Sequence, residues 1–137
     1  MLSSLQRKAE KLAQLLERLV AEATKSTLIV VEGRNDIEAL KELAIQGNII
    51  SVKTAGRSFL DVLTEIEEQN VSKVVLLLDF DRRGREWTKR LKQRLEEKRI
   101  KVDISFWNKL RALVRHDIKD VEGLPTYLKT LKKRIGN

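Results

Sequence analysis

The spacing of apolar residues along the chain predicts a first helix at the amino terminus. Residues 3–23 place an apolar side chain at alternating steps of four and three, which is typical of an amphipathic helix. The apolar stripe consists of Leu5, Ala9, Leu12, Leu16, Leu19 and Ala23. Because the stripe covers only two to three heptads, we expect the helix to dock on a domain or to pair weakly with a protein partner or a second copy.

Four short runs rich in β-branched and aliphatic residues predict buried strands. The runs are 27–33 (TLIVVEG), 49–54 (IISVKT), 72–81 (SKVVLLLDFD) and 100–107 (IKVDISFW). The last run alternates at Ile100, Val102 and Ile104 and then places Trp107 at a buried strand position. The run at 72–81 contains the longest uninterrupted apolar stretch of the chain and has two aspartates at its end.

Helical spacing separates these runs. The first intervening helix is expected to have Asn35 or Asp36 as its N-cap, Ile37, Leu40 and Ala44 on its apolar face, and Gly47 as its stop. Ser58 follows the turn at 55–58 and is expected to cap the second helix. The third helix, from about residue 83 to 98, buries Trp87, Leu91 and Leu95. Residues 108–137 indicate two short helices around a Gly-Leu-Pro turn.

This alternation of strands and helices predicts an α/β fold, with a Rossmann-like, four-stranded parallel sheet covered by helices on both faces. We expect an amino-terminal helix at 1–25, the main domain at 26–125 and a carboxy-terminal helix of the same unit at 126–137. Ligands of such sheets bind beyond the carboxyl ends of the strands, where the strand order reverses.

Composition excludes several kinds of site. The chain has no cysteine, which removes disulfides, thiolate zinc sites and cysteine nucleophiles, and its one histidine removes multi-histidine metal centres. A metal would therefore be bound by carboxylates, which favours Mg²⁺ or Mn²⁺. The amino terminus is too charged for a signal peptide, and no apolar run reaches the roughly 20 residues of a membrane span. We expect a cytoplasmic protein without a membrane partner.

Three carboxylates are predicted at strand ends. Glu32 ends the first strand, and Asp79 and Asp81 end the third. If these strands are neighbours, the three side chains converge, and Asp79 and Asp81, on one side of an extended chain, can share a hard cation. Glu32 would add a ligand or act as a general acid or base. A pair of aspartates at a strand end is often only a polar exit from the sheet or a helix cap, and the combination with Glu32 favours a metal site.

Positive charge is concentrated just after these acids. The net charge is +8, and residues 82–101 contain ten basic and three acidic side chains. Such a segment is typical of a phosphate-backbone contact, although a solubilising helix surface has the same composition. The candidate nucleic-acid contacts, which include two loop arginines at the same sheet edge, are Arg34, Arg57, Arg82, Arg83, Arg85, Lys89, Arg90 and Lys92.

The motifs "VVEGRND" (30–36) and "LLLDFDRRGREW" (76–87) resemble the Toprim domain of bacterial-type primases, topoisomerases and several nucleases. The resemblance covers about residues 26–125 and is greatest to primases. It implies that Glu32 is a catalytic acid or base and metal ligand, and that Asp79 and Asp81 are catalytic Mg²⁺ ligands. A downstream acid of primases corresponds loosely to Asp120, with Glu122 nearby, so the resemblance implies Asp120 as a further metal ligand.

Two differences between this sequence and the family's patterns argue against a topoisomerase and against a complete primase. Topoisomerases have acids at the positions of Arg83 and Arg85, and a primase would need a cysteine-rich zinc module that this chain lacks. We therefore expect a small stand-alone Toprim protein, acting as an Mg²⁺-dependent nuclease or nucleotidyltransferase. The alternative is a non-catalytic adaptor that binds nucleic acid or joins a complex. His116 is interpreted as a surface or capping residue and Tyr127 as a core residue.

Overall fold

The computed structural model describes residues 2–23, 26–53 and 56–136. The strands are β1 (Thr27–Val31), β2 (Asn48–Ser51), β3 (Lys73–Leu77) and β4 (Lys101–Asp103). The helices are α1 (Ser4–Ala23), α2 (Arg34–Glu42), α3 (Phe59–Glu68), α4 (Arg82–Glu97), α5 (Ser105–Val114) and α6 (Leu124–Gly136), with a 3₁₀ turn at Val121–Gly123. Residues 54 and 55, where the predicted second strand ends and the predicted turn begins, lie outside the described residues.

The four strands form a parallel sheet in the order β2-β1-β3-β4. Val31, the last residue of β1, is paired with Ser51 on one side and with Leu77 on the other. The first and third strands are therefore neighbours, with the second on the far side, as the convergence of the acids requires. The strand order reverses between β1 and β3, which makes their carboxyl ends the expected ligand-binding edge.

Both faces of the sheet are covered by helices, as predicted. Alternate residues of β1 and β3 point to opposite faces, and each set is buried in its own hydrophobic cluster. Helices α1, α2, α5 and α6 cover the face formed by Ile29, Val31, Val75 and Leu77. Helices α3 and α4 cover the opposite face, formed by Leu28, Val30, Val74 and Leu76.

Helix α1 docks on the domain against α5 and α6. Its buried residues are Leu12, Leu15, Leu16, Leu19 and Ala23, so the predicted stripe is confirmed over its second half. Leu5, in the first half, is 36% exposed. Lys8 forms an ion pair with Asp117 (3.2 Å), and Asp117 also accepts a hydrogen bond from the hydroxyl of half-buried Tyr127 (2.7 Å).

The fourth strand is shorter than predicted, and the prediction of a strand position for Trp107 is wrong. Strand β4 ends at Asp103, whose Oδ1 accepts hydrogen bonds from the backbone N–H and hydroxyl of Ser105 and so turns the chain into α5. Trp107 lies in α5 and is buried, and its Nε1–H donates to the carbonyl of Leu78 (2.8 Å).

Two details of α2 also differ from the prediction. Its N-cap is Gly33, and Asp36 is the third helical residue, whose Oδ2 accepts the backbone N–H of Gly33 (2.9 Å). The helix ends at Glu42, five residues before Gly47, and exposed Ala44 has a left-handed φ of 65° instead of lying on an apolar helical face. The predicted cap of α3 is confirmed, because Ser58 Oγ accepts the N–H of Asp61 (3.1 Å).

No helix in the described ranges is both long enough and apolar enough to span a membrane.

Trp87 is half-buried on α4, with its ring edge against Phe59 at a centroid distance of 5.3 Å. His116 is exposed, in agreement with its interpretation as a surface residue.

The first turn of α4 lies directly on the backbone of Asp79. A Cβ added to Gly84 would lie 2.0 Å from the carbonyl oxygen of Asp79 and 2.7 Å from its carbonyl carbon. The backbone N–H of Gly84 also donates to Asp81 Oδ1 (2.8 Å). The absence of a side chain at residue 84 therefore allows the helix to approach the segment that carries Asp79.

Gly84→Ala is expected to destabilise the protein by about 1–3 kcal/mol, because the added methyl group forces the helix away from Asp79. In an unconstrained helix the same change would stabilise by about 1 kcal/mol. Guanidinium unfolding measures the difference, with Gly136→Ala as the control, since a Cβ there meets no atom within 4 Å. Equal effects of the two substitutions would contradict the close approach.

Candidate functional site

A cleft of about 730 Å³ lies at the carboxyl ends of β1 and β3. Its walls come from the turn before α2, the end of β2, the segment after β3 and the segment between α5 and α6. Five acids line it, namely Glu32, Asp36, Asp79, Asp120 and Glu122. Three cations also line it, namely Arg34, Lys53 and Lys119. Carboxylates therefore outnumber cationic side chains in the walls of the cleft.

Glu32 connects the two central strands at the cleft. It directly follows β1, is 4% exposed, and its Oε1 accepts the backbone N–H of Asp79 (3.2 Å). Its own carbonyl oxygen accepts the N–H of Lys53 at the end of β2 (2.8 Å). A single residue thus joins the ends of three neighbouring strands.

Asp79 is the acid of the cleft whose pKa is raised strongly by its surroundings. It is half-buried, and burial raises its pKa to about 7, with further contributions from the negative charges of Glu32, Asp36, Asp120 and Asp81. All of these causes disfavour the carboxylate form. A cation bound at this position would reverse the effect of the neighbouring charges, so the arrangement suits a positively charged ligand.

Asp36 holds the two acidic segments of the cleft together. It is 4% exposed, and its second oxygen, Oδ1, accepts the N–H of Glu122 (2.8 Å) across 86 residues of chain. Burial raises its pKa, although the two backbone donors at Gly33 and Glu122 lower it. Carboxylate oxygens of Asp36, Asp120 and Glu122 lie within 4.8 Å of one another, which among the described residues is the one group of this kind.

Asp81 has a different position from the one that the sequence indicated. Strand β3 ends at Leu77, so Asp79 and Asp81 do not share one extended strand. Asp81 is the exposed N-cap of α4, and its Oδ1 accepts the N–H of Gly84. It is close enough to contribute to the raised pKa of Asp79, but it does not line the cleft.

The arginines expected to contact phosphate fall into separate environments. Exposed Arg34 lines the cleft. Arg57 instead donates to the carboxylate of Glu65 and to the carbonyl of Ser51 (3.0 Å), which ties the loop before α3 to β2. The guanidinium group of Arg57 therefore has a structural role, because it is occupied by contacts within the protein.

The basic residues of α4 divide between two faces of the helix. The guanidinium groups of Arg83 and Arg90 lie over the rings of Trp87 (5.8 Å) and Phe59 (4.0 Å). Arg82 forms an exposed ion pair with Glu86 (3.2 Å). Arg94 is paired with Glu97 (3.7 Å). The other three, Arg85, Lys89 and Lys92, line a groove beside the start of α5.

From the sequence, Asp36 was expected as a helix cap and as a position of the Toprim-like motif, but not as a wall of the site, and Glu122 was noted only as a neighbour of Asp120. The position of Asp36 contained a signal, because the first turn of a helix that follows a strand directly lies at the carboxyl edge of the sheet. Lys53 was also predictable, since it closely follows a strand that ends at this edge. Lys119 had no such signal, because its position depends on the packing of the segment after α5, where its carbonyl accepts the N–H of Phe80 (2.8 Å).

Residues 27–107 match the Toprim domain family. Among solved structures, a putative protein from Aquifex aeolicus has the same fold with a TM-score of 0.66 and 30% sequence identity. The match covers 81% of this chain and 95% of that one. Asp120 and Glu122 lie beyond the matched residues of the family, although they line the same cleft.

Two curated relatives are described as UPF0292 proteins. A UPF0292 protein of Methanosarcina acetivorans is 34% identical over 130 residues, covering 95% of this chain and 88% of the relative. A UPF0292 protein of Methanocaldococcus jannaschii is 33% identical over 119 residues, covering 87% of this chain and 91% of the relative. The chain therefore belongs to the UPF0292 protein family and carries a Toprim domain.

Proposed function

We propose that this protein is an Mg²⁺-dependent enzyme that acts on nucleic-acid phosphodiesters, by cleavage or by nucleotidyl transfer. The observation that carries the proposal is the position of Asp79, a half-buried acid whose pKa is raised to about 7 in a cleft lined by four further carboxylates. The cleft lies where the strand order reverses, which is the usual ligand position of such sheets.

The donor set of the cleft suits a hard divalent cation. Its acids offer only carboxylate oxygens, which are the preferred protein ligands of Mg²⁺ and Mn²⁺. We assign Asp79, Glu32 and Asp120 as the residues that would hold the cation, with Asp81 at the margin of the site. Asp120 is shared with the group of three carboxylates that it forms with Asp36 and Glu122, so these two acids line the same cation position. When bound, the cation would polarise a phosphodiester and activate the attacking oxygen.

The chain's own side chains would position the substrate and move its proton. Arg34 and Lys53 are exposed at the cleft and can contact phosphate oxygens. Glu32 is held in place by its hydrogen bond from Asp79, so it can act as a general acid or base at a fixed position. Arginine at residues 83 and 85 favours a primase-like chemistry over that of a topoisomerase.

A second candidate is a non-catalytic adaptor that binds nucleic acid or joins a complex through the Toprim fold. One observation favours it, namely that the carboxylate of Asp81 caps α4 and does not face the cleft. An adaptor would bind nucleic acid independently of Mg²⁺ and of Asp79.

Asp79→Asn is expected to raise the thermal unfolding midpoint of the metal-free protein by a few degrees at pH 8, and to change it much less at pH 5. The pKa of the carboxyl is about 7 in the folded protein and near 3.8 when unfolded. Between these values the folded state binds more protons, so the stability of the wild type falls as the pH rises through 7. At pH 5 the wild-type carboxyl is already protonated in the folded state and resembles the amide.

Asp61→Asn serves as a control of opposite sign, because hydrogen bonds from Ser58 lower the pKa of Asp61. This substitution should lower the midpoint at both pH values, which are above the unfolded pKa. Differential scanning calorimetry in a chelator measures all three proteins. A midpoint of Asp79→Asn that differs from the wild type equally at pH 5 and pH 8 would contradict the raised pKa.

The proposed activity is tested by incubating labelled single- and double-stranded DNA and RNA with Mg²⁺ or Mn²⁺. Glu32→Gln and Asp79→Asn keep the size of each side chain and are expected to reduce turnover by about 100-fold or more. Glu68→Gln, an exposed acid at the end of α3, should leave turnover unchanged. Product formed equally by all variants would indicate a contaminating enzyme, and product from none would favour the adaptor.

A further inference from the structure

We propose that the groove between α4 and the start of α5 is the binding track for the phosphate backbone of a single-stranded nucleic acid, an inference that rests on the proposed function. Arg85, Lys89 and Lys92 form its cationic wall. The groove has a volume of about 340 Å³ and lies outside the acidic cleft.

The three cations are spaced to follow a strand. Residues 85, 89 and 92 are one helical turn apart, so they lie in one row on the surface of α4. The row spans about 10 Å at the rise of an α-helix. This length accommodates a short run of consecutive phosphates, each facing its own cation.

Other cations of α4 already have partners within the protein. Arg83 and Arg90 lie over aromatic rings, and Arg94 is paired with Glu97 (3.7 Å). In the part of the chain that the structure describes, no carboxylate lies within 4.0 Å of the cation of Arg85 or Lys89. The groove is therefore lined by the two cations of α4, Arg85 and Lys89, that have no ion pair with a described carboxylate.

Lys92 is the one cation of the groove with an internal ion pair. It contacts Glu96 (2.8 Å) across one turn of α4, and the two side chains are 37% and 46% exposed. Exposed pairs at this spacing contribute little, about 0.3–0.5 kcal/mol, so a phosphate can replace the carboxylate. Glu96 also lines the groove, and its negative charge marks the end of the track.

The opposite wall of the groove is apolar and is attached to the candidate active site. It consists of half-buried Ile104 and buried Trp107. The indole Nε1–H of Trp107 donates to the carbonyl of Leu78, the residue before Asp79. At the same end, Arg85 lies one turn after Asp81, whose carboxylate caps α4. A strand in the groove would thus begin next to the segment that carries Asp79.

This combination of walls favours one unpaired strand. Unpaired nucleotides can place sugars and bases against half-buried Ile104, which buried Trp107 supports from behind, while their phosphates face the cations of the groove. The bases of a duplex are stacked in its interior, so a duplex would use only the cationic wall. A single strand should therefore bind more tightly than a duplex of the same sequence.

A second basic groove provides a matched control. It lies between α1 and α5, has a volume of about 270 Å³, and is lined by Lys11, Arg18 and Lys109 around Leu15 and Leu113. Helices α1 and α5 cover the sheet face opposite to α4. Lys11→Gln/Lys109→Gln removes the same charge as Lys89→Gln/Lys92→Gln, but from a groove without α4.

The test is fluorescence anisotropy of a labelled oligonucleotide in a chelator, with the full chain and a series of salt concentrations. The slope of log affinity against log salt changes by about 0.7 for each phosphate contact to a single strand. Lys89→Gln/Lys92→Gln should therefore reduce the slope by about 1.4 and weaken binding at 0.1 M salt by about tenfold or more. The control variant should retain the wild-type slope, and circular dichroism verifies that both variants are folded.

Three results would overturn the track. These are an unchanged slope in Lys89→Gln/Lys92→Gln, an equal loss in the control variant, or a duplex that binds as tightly as the single strand. Because binding is measured without metal, failure of the proposed function has a separate signature, namely wild-type binding through the groove without any Mn²⁺-dependent turnover.

Discussion

The parallel pairing of β1 with β3 determines where the candidate chemistry of this protein lies. Five residue pairs, from Thr27 with Lys73 to Val31 with Leu77, align the two strands so that they end at the same edge. The neighbours β2 and β4 continue the sheet in opposite directions, which opens the cleft between the connections. The hydrogen bond from the Asp79 N–H to the Glu32 carboxylate then links the segments that follow the two strands.

The acids of the cleft are held in place by backbone donors, which explains how so many carboxylates can lie close together. Glu32, Asp36 and Asp120 each accept at least one backbone N–H, and such bonds stabilise the charged form. Burial, together with the negative charges of its neighbours, raises the pKa of Asp79. Surroundings that destabilise the ionised form of an acid are typical of functional sites. At such sites the stability of the folded protein is reduced in favour of ligand binding.

Local pattern was sufficient for the strands, for the docked helix α1 and for the Ser58 cap, because each depends on spacing or on neighbours within one turn. Local pattern gave the wrong element for Trp107. The alternating residues 100–104 gave no sign that a helix begins directly after them, where the N–H of Ser105 donates to Asp103. The contribution of Glu122 depends on its contact with Asp36 across 86 residues, and periodicity contains no information about that packing. The division of the basic residues of α4 between two faces could have been predicted from the sequence, because helical geometry alone separates Arg90 from Lys89 and Lys92.

The proposed activity depends on a divalent cation that binds in the cleft at the ends of β1 and β3 through Asp79. The most direct measurement is the anomalous difference density of a crystal grown with Mn²⁺. We predict a peak in the cleft within about 2.3 Å of a carboxylate oxygen of Asp79, at a distance typical of hard cations and oxygen ligands. A cleft without a peak, or Mn²⁺ bound only at positions away from Asp79, would contradict the account.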